Sequence, residues 1–582
     1  MLLPLLKARF QKVLEQFTDD PAAYSDMIRP SQDAKFGDYQ ANFAMPLGKK
    51  LGKPPREVAA EIVARVDLTD LCTPPEIAGP GFINLRIADS LLAKLLQNAV
   101  RDERRLAIAG VDPAGKKRYV IDYSAPNVAK PMHVGHIRST MIGNALAKIL
   151  RFCGHEVIAD NHIGDWGTQF GMILYGYRHF LDPAAYDANP VLELSRLYRH
   201  VRQLADQPNE DGKRITALVL EETAKLHGGD PDNLALWKKF VPVCMEEIER
   251  IYKRLGVTFD HTLGESFYQP MLAPLVEGLI QRGIAVETEG AIGIFFDGCE
   301  IPMLIRKKDG AFLYSTTDLA TIQYRLLEFQ PDVILYLTDS RQSFHFEQLF
   351  QAAAIIEKGK PLPELVHVKF GTVLGEDGKP FKTRSGDTVG LESLLDEAET
   401  RAFAVLEKNV VTENAETVDK IETARRIGLG ALVYADLSQN RESDYVFSFD
   451  KMLAMNGNTA TYMQYAYARV RSIFTKGNVD VAALRQSPEP FCFTTPQERT
   501  LAMELLKFDE ALESVIRDYR PNQLTAYLFE LANRYSHFFE HCPVLKADDE
   551  SVKLSRLKLC DLTARTIRLG LQLLGIETVE RM

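Results

Sequence analysis

Asp122-Tyr123-Ser124-Ala125-Pro126-Asn127-Val128-Ala129-Lys130-Pro131-Met132-His133-Val134-Gly135-His136-Ile137-Arg138-Ser139-Thr140 is the stretch on which the fold turns. It is entered through Tyr119-Val120-Ile121-Asp122-Tyr123, a short apolar run that reads as a buried strand. It leaves through apolar residues at 137, 141, 142, 145, 146, 149 and 150, one face of a helix from about Met132 to Phe152. Gly154 stands where a C-terminal cap belongs. Glu156-Val157-Ile158-Ala159-Asp160 then reads as a second strand. Strand, helix, strand between residues 119 and 160 make a βαβ unit, hence a parallel sheet with a right-handed crossover.

In such a sheet the loop after the first strand opens on the ligand crevice. The first helical turn offers unpaired N–H groups and a partial positive charge. His133 and His136 project from that turn to one side. Gly135 would let a flat base approach the backbone, and Lys130 adds a cation within reach of phosphates. Two histidines three apart also occur as a plain, half-exposed pair. A metal would need a third ligand that the segment does not offer, so no protein-bound metal is expected. The strand-loop-helix setting favours a nucleotide.

Working outward, 582 residues exceed what one hydrophobic core usually supports. Residues 1–112 form a unit of their own, with a helix after Pro54-Pro55, the turn Ala78-Gly79-Pro80-Gly81 and the strand-like Phe82-Ile83-Asn84-Leu85-Arg86-Ile87. Residues 113–390 carry the α/β pattern, with a polar, mostly helical insertion near 183–235 and further strands at Val333–Leu337 and Val366–Phe370. From 391 to 582 the pattern is amphipathic helix, broken near Gly457, Gly477–Pro490 and Cys542-Pro543. The seven cysteines include no C-x-x-C pair and read as reduced thiols of a cytoplasmic protein. No run approaches the ~20 apolar residues of a membrane span. The apolar start is short, with charges at Lys7 and Arg9, so neither a signal peptide nor a membrane partner is expected. A net charge of −10 does not predict a polyanionic partner; that reading has to come from motifs.

The motifs supply it. His133-Val134-Gly135-His136 resembles the H-I-G-H signature of class I aminoacyl-tRNA synthetases. Its flanks, together with His162-Ile163-Gly164-Asp165-Trp166-Gly167-Thr168-Gln169-Phe170-Gly171, resemble the bacterial type of arginyl-tRNA synthetase family. The resemblance covers essentially the whole chain. It implies a Rossmann-like parallel-sheet catalytic domain (α/β), an α+β N-terminal domain that binds the tRNA elbow, and an all-α C-terminal anticodon-binding bundle. The implied activity joins L-arginine to its tRNA with ATP, accompanied by Mg2+, by way of arginyl-adenylate. The family needs tRNA even for the first step, and a monomer is its default.

The second class I signature, K-M-S-K-S, corresponds to Lys379-Pro380-Phe381-Lys382-Thr383-Arg384-Ser385-Gly386. Read from Lys379 both lysines survive; aligned on Thr383-Arg384 and Gly386 the second lysine is replaced by Thr383. Some family members lacking that lysine place one just before the first signature, where Lys130 stands. Phosphate stabilisation is therefore expected chiefly from Lys130, with Lys382 and Arg384 as secondary candidates, and α-phosphate and adenosine contacts from His133 and His136 beside Gly135. A guanidinium wants carboxylates in forked geometry, and Asp122 and Asp318 offer them. By resemblance Ser124, Asn127, Tyr314, Asp318 and Gln342 complete the arginine pocket with Asp122. Also by resemblance, Phe82 and Asn84 would meet an elbow base. Tyr462 and Arg469 lie in a helix mixing aromatics and arginines, which suits RNA. Competing readings are a cysteinyl-type synthetase, disfavoured by the absence of clustered cysteines; a small-molecule nucleotidyltransferase, which leaves the helical third without a task; and a silent RNA-binding paralogue, disfavoured by the intact histidines and Lys130.

Overall fold

The computed structural model describes residues 2–381, 389–409 and 417–582. The N-terminal unit is α+β. Strands β1 (Ile28–Pro30), β2 (Tyr39–Ala41), β3 (Glu76–Ala78) and β4 (Phe82–Leu85) form an antiparallel sheet in the order β1-β2-β4-β3. Gly81 makes the tight β3–β4 turn at φ +138°, where a Cβ would sit 2.9 Å from the Pro55 carbonyl oxygen. This unit is clamped to the C-terminal helices. Arg499 forks onto Asp38 at 2.8 Å through both terminal nitrogens and reaches Asp89 through Nε. Arg565 donates to the carbonyls of Ala99, Val100 and Asp102 at the C-terminal end of helix Asp89–Arg101.

The central unit is built on β5 (Arg118–Asp122), β6 (Glu156–Asn161), β7 (His261–Thr262), β11 (Val333–Tyr336) and β12 (Glu364–His367). All pair in parallel, in the order β12-β11-β5-β6-β7. From β5 the chain crosses through helix Val134–Phe152 to β6 on one side. It returns much later as β11 on the other, which makes β5 the switch point of the sheet. The helix is buried nearly all round because it packs on the sheet and also against helices of the C-terminal third.

Three features differ in detail from the sequence reading. The last parallel strand is Glu364–His367, not Val366–Phe370; it is a sheet edge, so no apolar run marks it, and Phe370 only bridges to Asp339. The helical insertion does not stop near 235: Pro231–Leu255 continues it for 25 residues, and its apolar face closes a separate core with helices Thr168–Phe180 and Pro190–Ala205. Strands β8 (Ala285–Thr288), β9 (Ala291–Phe296) and β10 (Cys299–Arg306) form an antiparallel meander, in the order β10-β9-β8, that the sequence reading did not mark. From Leu391 onward the described chain is helical, apart from β14 (Tyr445–Val446), which pairs in parallel with β13 (Val373–Leu374). No described helix is long and apolar enough to cross a membrane.

One buried ion pair ties the signature helix to the C-terminal third. Arg138 is 1% exposed, its Nε 2.9 Å from Asp436 Oδ1, and its Nη1 donates to the carbonyls of Gly371 and Ser443 at 2.8 and 3.0 Å. Gly371 opens the segment leading to Lys379, and a Cβ there would strike Asp444 Oδ1 at 2.6 Å. Asp436→Asn leaves the Arg138 charge uncompensated and should destabilise the fold by about 3–5 kcal/mol. Urea unfolding checks this; an unchanged midpoint would mean the pair contributes nothing.

Candidate active site at the carboxyl edge of the parallel sheet

The strand register sets Asp122 between Asp160 on β6 and Tyr336 on β11, at the carboxyl ends. Beyond Asp122 the backbone turns sharply: Ser124 and Ala125 adopt φ +72° and +45°, unusual for residues with side chains. Buried hydrogen bonds hold the turn. Ser124 Oγ lies 2.7 Å from Thr140 Oγ1 and 2.8 Å from Tyr252 OH, and Asn161 Oδ1 accepts from the Ala125 N–H at 3.1 Å.

The turn delivers the two histidines as a reciprocal helix cap. His133 Nδ1 accepts from the Gly135 N–H at 3.1 Å, and His136 Nδ1 accepts from the His133 N–H at 3.0 Å. The same His136 nitrogen lies 3.3 Å from the His133 carbonyl, a longer contact that would need the opposite tautomer. Both imidazoles are held neutral. Burial, then the other ring and Lys130, push His136 down to about 3, and burial followed by Lys130 lowers His133. With each Nδ1 accepting a backbone N–H, the proton sits on each Nε2, leaving two donors without a partner among the described residues on rings 4.0 Å apart. Gly135 is required by this cap: a Cβ there would lie 2.9 Å from His133 Cε1 and 3.0 Å from Nδ1. Gly135→Ala should push the ring out of its cap and lower ATP–pyrophosphate exchange about tenfold or more, measured beside a melting curve that moves little. Lys130 is half-buried, with its Nζ 5.3 Å from the centre of the Tyr198 ring, and no described carboxylate pairs with it. The chain leaves β13, turns back through Lys379, and returns at Val389, whose carbonyl accepts from Val134 N–H at 3.0 Å. Lys382 and Arg384 lie outside the described residues.

The expected pocket carboxylates behave differently from one another. Asp122 already holds a guanidinium, that of Arg325, at 2.7 Å. Arg325 is fully buried, bonds Asp160 Oδ2 through Nε and Nη2 at 3.0 and 2.7 Å, and lies 5.4 Å from the Tyr336 ring centre. Asp318 shares one oxygen with His345 Nε2 at 2.6 Å, which raises the His345 pKa. The sequence reading missed Glu265, first residue of helix Glu265–Gln281. Burial above all, with Asp165 and Asp318 as like-charged neighbours, pushes its carboxyl up to about 7 against the pull of His162. Its only sequence signal is an acid in a first helical turn, where acids are ordinary.

The remaining expected residues fall into place as follows. Asn127 bridges to Gly164, and its Oδ1 accepts from Ala129 N–H. Tyr314 begins helix Tyr314–Glu328 and is 78% exposed, and Gln342 is exposed on the 3-10 turn Ser340–Gln342. On β4 of the N-terminal unit, Phe82 is half-buried, whereas Asn84 is buried with Oδ1 accepting from Gln40 Nε2 at 2.8 Å. Tyr462 OH sits 3.2 Å from Ser536 Oγ, and Arg469 stacks 4.2 Å from the Phe539 ring centre.

Comparison with known proteins finds three family models along the chain. Residues 4–87 match the arginyl tRNA synthetase N terminal domain, 96–449 the catalytic domain of tRNA synthetases class I (R), and 463–582 the DALR anticodon binding domain. An arginine–tRNA ligase of Rhodopirellula baltica is 47% identical and one of Synechococcus elongatus 45%, each over 100% of both chains. The crystal structure of a Plasmodium falciparum arginyl-tRNA synthetase superposes with a TM-score of 0.85 at 27% identity, covering 100% of this chain and 99% of that one. A Thermus thermophilus arginyl-tRNA synthetase, at 24% identity and TM-score 0.82, shares the fold over 100% of both chains.

Proposed function

The chain belongs to the arginyl-tRNA synthetase family of class I, and on that premise we propose how its residues divide the reaction. It is an arginine–tRNA ligase: ATP activates L-arginine to arginyl-adenylate, and the arginyl group passes to tRNA, releasing AMP and pyrophosphate. The finer assignment rests on one observation, two neutral histidines capping the helix beside a lysine that no described carboxylate neutralises. ATP enters as its magnesium complex, the metal coming with the phosphates. The arginine carboxylate attacks the α-phosphorus in line, and the bond to pyrophosphate breaks with its electron pair leaving on pyrophosphate. The Nε2–H groups of His133 and His136 donate to α-phosphate oxygen, Gly135 lets adenosine approach the turn, and Lys130 neutralises charge that grows in the transition state. Lys382 and Arg384 assist on the outer phosphates. The terminal ribose hydroxyl of tRNA then attacks the adenylate carbonyl, and AMP departs.

For the amino acid, Asp318 and Glu265 are the carboxylates left to a substrate guanidinium, while Asp122 acts through Arg325 to fix the pocket floor. Ser124, Asn127 and Gln342 surround the α-amino and carboxylate end, and Tyr314 packs on the guanidinium. Phe82 and Asn84 meet the tRNA elbow, and Tyr462 and Arg469 serve the anticodon side. A single chain in the cytoplasm carries all three modules, 1–112, 113–390 and 391–582, and works as a monomer. The test is ATP–pyrophosphate exchange with each standard amino acid, with and without tRNA. Exchange with arginine alone, and only when tRNA is present, is the expected result. Exchange without tRNA would remove the dependence, and exchange with another amino acid would remove the specificity.

A further inference from the structure

Lys130 and the insertion meet at one point. The turn that carries the lysine is built on the insertion's core: Val128 and Ala129 are buried with Leu194, Leu197, Tyr198, Leu226 and Phe240. Helix Pro190–Ala205 brings Tyr198 under the lysine, with Nζ 5.3 Å from the ring centre. Tyr198 is 5% exposed and packed in that core, and its hydroxyl accepts from Arg202 Nη1 at 2.9 Å.

The kind of partner matters here. A carboxylate would hold Lys130 equally well but would cancel the charge that the phosphates need. An aromatic face attracts the ammonium through its quadrupole and carries no net charge, so the full positive charge remains for the incoming anion. The flexible four-carbon stem of a lysine loses entropy whenever it is held. A ring that pre-places it removes part of that loss from the chemical step.

We infer that Tyr198, supplied by the insertion, is a positioning residue for Lys130: its ring holds the ammonium at the mouth of the ATP site without neutralising it. This rests on the assignment of Lys130 to the reaction.

The test uses the full-length enzyme with tRNA and measures single-turnover adenylate formation. Tyr198→Phe keeps the face and should stay within about twofold of wild type, whereas Tyr198→Leu should lower the rate by about 3- to 30-fold with arginine KM unchanged. Because Leu at a buried position can disturb the fold, phenylalanines carrying one, two and three ring fluorines are placed at 198 as well. Fluorination weakens the quadrupole at nearly constant shape, so the rate should fall stepwise along the series. In a Lys130→Met background the same series should be flat. A flat series in the otherwise wild-type enzyme, or a fall that persists without Lys130, overturns the inference. A Lys130→Met enzyme that works normally would instead overturn the assignment of the lysine.

Discussion

Lys130→Ala should lower the rate of arginyl-adenylate formation by roughly 10²–10³-fold while leaving arginine KM within a few-fold of wild type. The split follows from where the interaction is made. Phosphate charge grows as the carboxylate attacks, so a cation aimed at it stabilises the transition state more than the ground state. Its loss then appears in kcat and kcat/KM together. The histidines cannot replace it. Both are held neutral, His136 down to about 3, so near pH 7 the capped turn provides donors but no charge of its own beyond the helix end. Lys130 has no described carboxylate partner to release, so its removal leaves no stranded anion and little effect on stability. Stopped-flow adenylate formation with tRNA present, alongside a melting curve, measures both. A rate near wild type would hand the charge to Lys382 or Arg384.

How much of this site could be read in the chain depends on how local each signal is. The β5–helix–β6 unit and the histidine turn are encoded within consecutive residues, where periodicity and capping leave direct marks. The insertion was visible as a polar helical stretch, but its end at Leu255 was not, because Pro231–Leu255 joins polar and apolar faces without a break. The β8–β10 meander lies among helices and carries exposed apolar residues such as Phe295 and Ile301, so alternation there is blurred. Asp122 shows the limit most directly. Its chemistry, a carboxylate awaiting a guanidinium, was legible, yet the guanidinium it meets belongs to Arg325, 203 residues away, and no spacing rule reaches that far. Asn84 shows the same: the amide was visible, its bond to Gln40 across two strands was not.

That redistribution of partners shapes the second large effect, at Glu265. With Asp122 taken by Arg325 and one oxygen of Asp318 taken by His345, Glu265 remains as a carboxyl whose charge burial disfavours in the resting protein. Its pKa is pushed up to about 7 by burial first and by Asp165 and Asp318 after it. A guanidinium is permanently charged, and its arrival favours the ionised carboxyl, so arginine binding releases a proton from Glu265 when the pH lies below about 7. The sign is then fixed: arginine affinity is full above that pH and weakens as pH falls through it, approaching tenfold per unit. His136, held down to about 3 by burial and by its neighbours His133 and Lys130, adds no step in this range. Glu265→Gln keeps the shape, removes the charge, and should raise arginine KM by about 30-fold or more, the effect of truncating one partner of a buried charge pair at about 2–5 kcal/mol. It should also flatten the slope below pH 7, leaving only what His345, raised by its bond to Asp318, contributes. Arginine KM from pyrophosphate exchange between pH 6 and 8.5 in both enzymes decides it. If the wild-type KM is flat across that range, or the slope survives in full in Glu265→Gln, the substrate guanidinium is held elsewhere, and Asp318→Asn alone would then carry the loss of affinity.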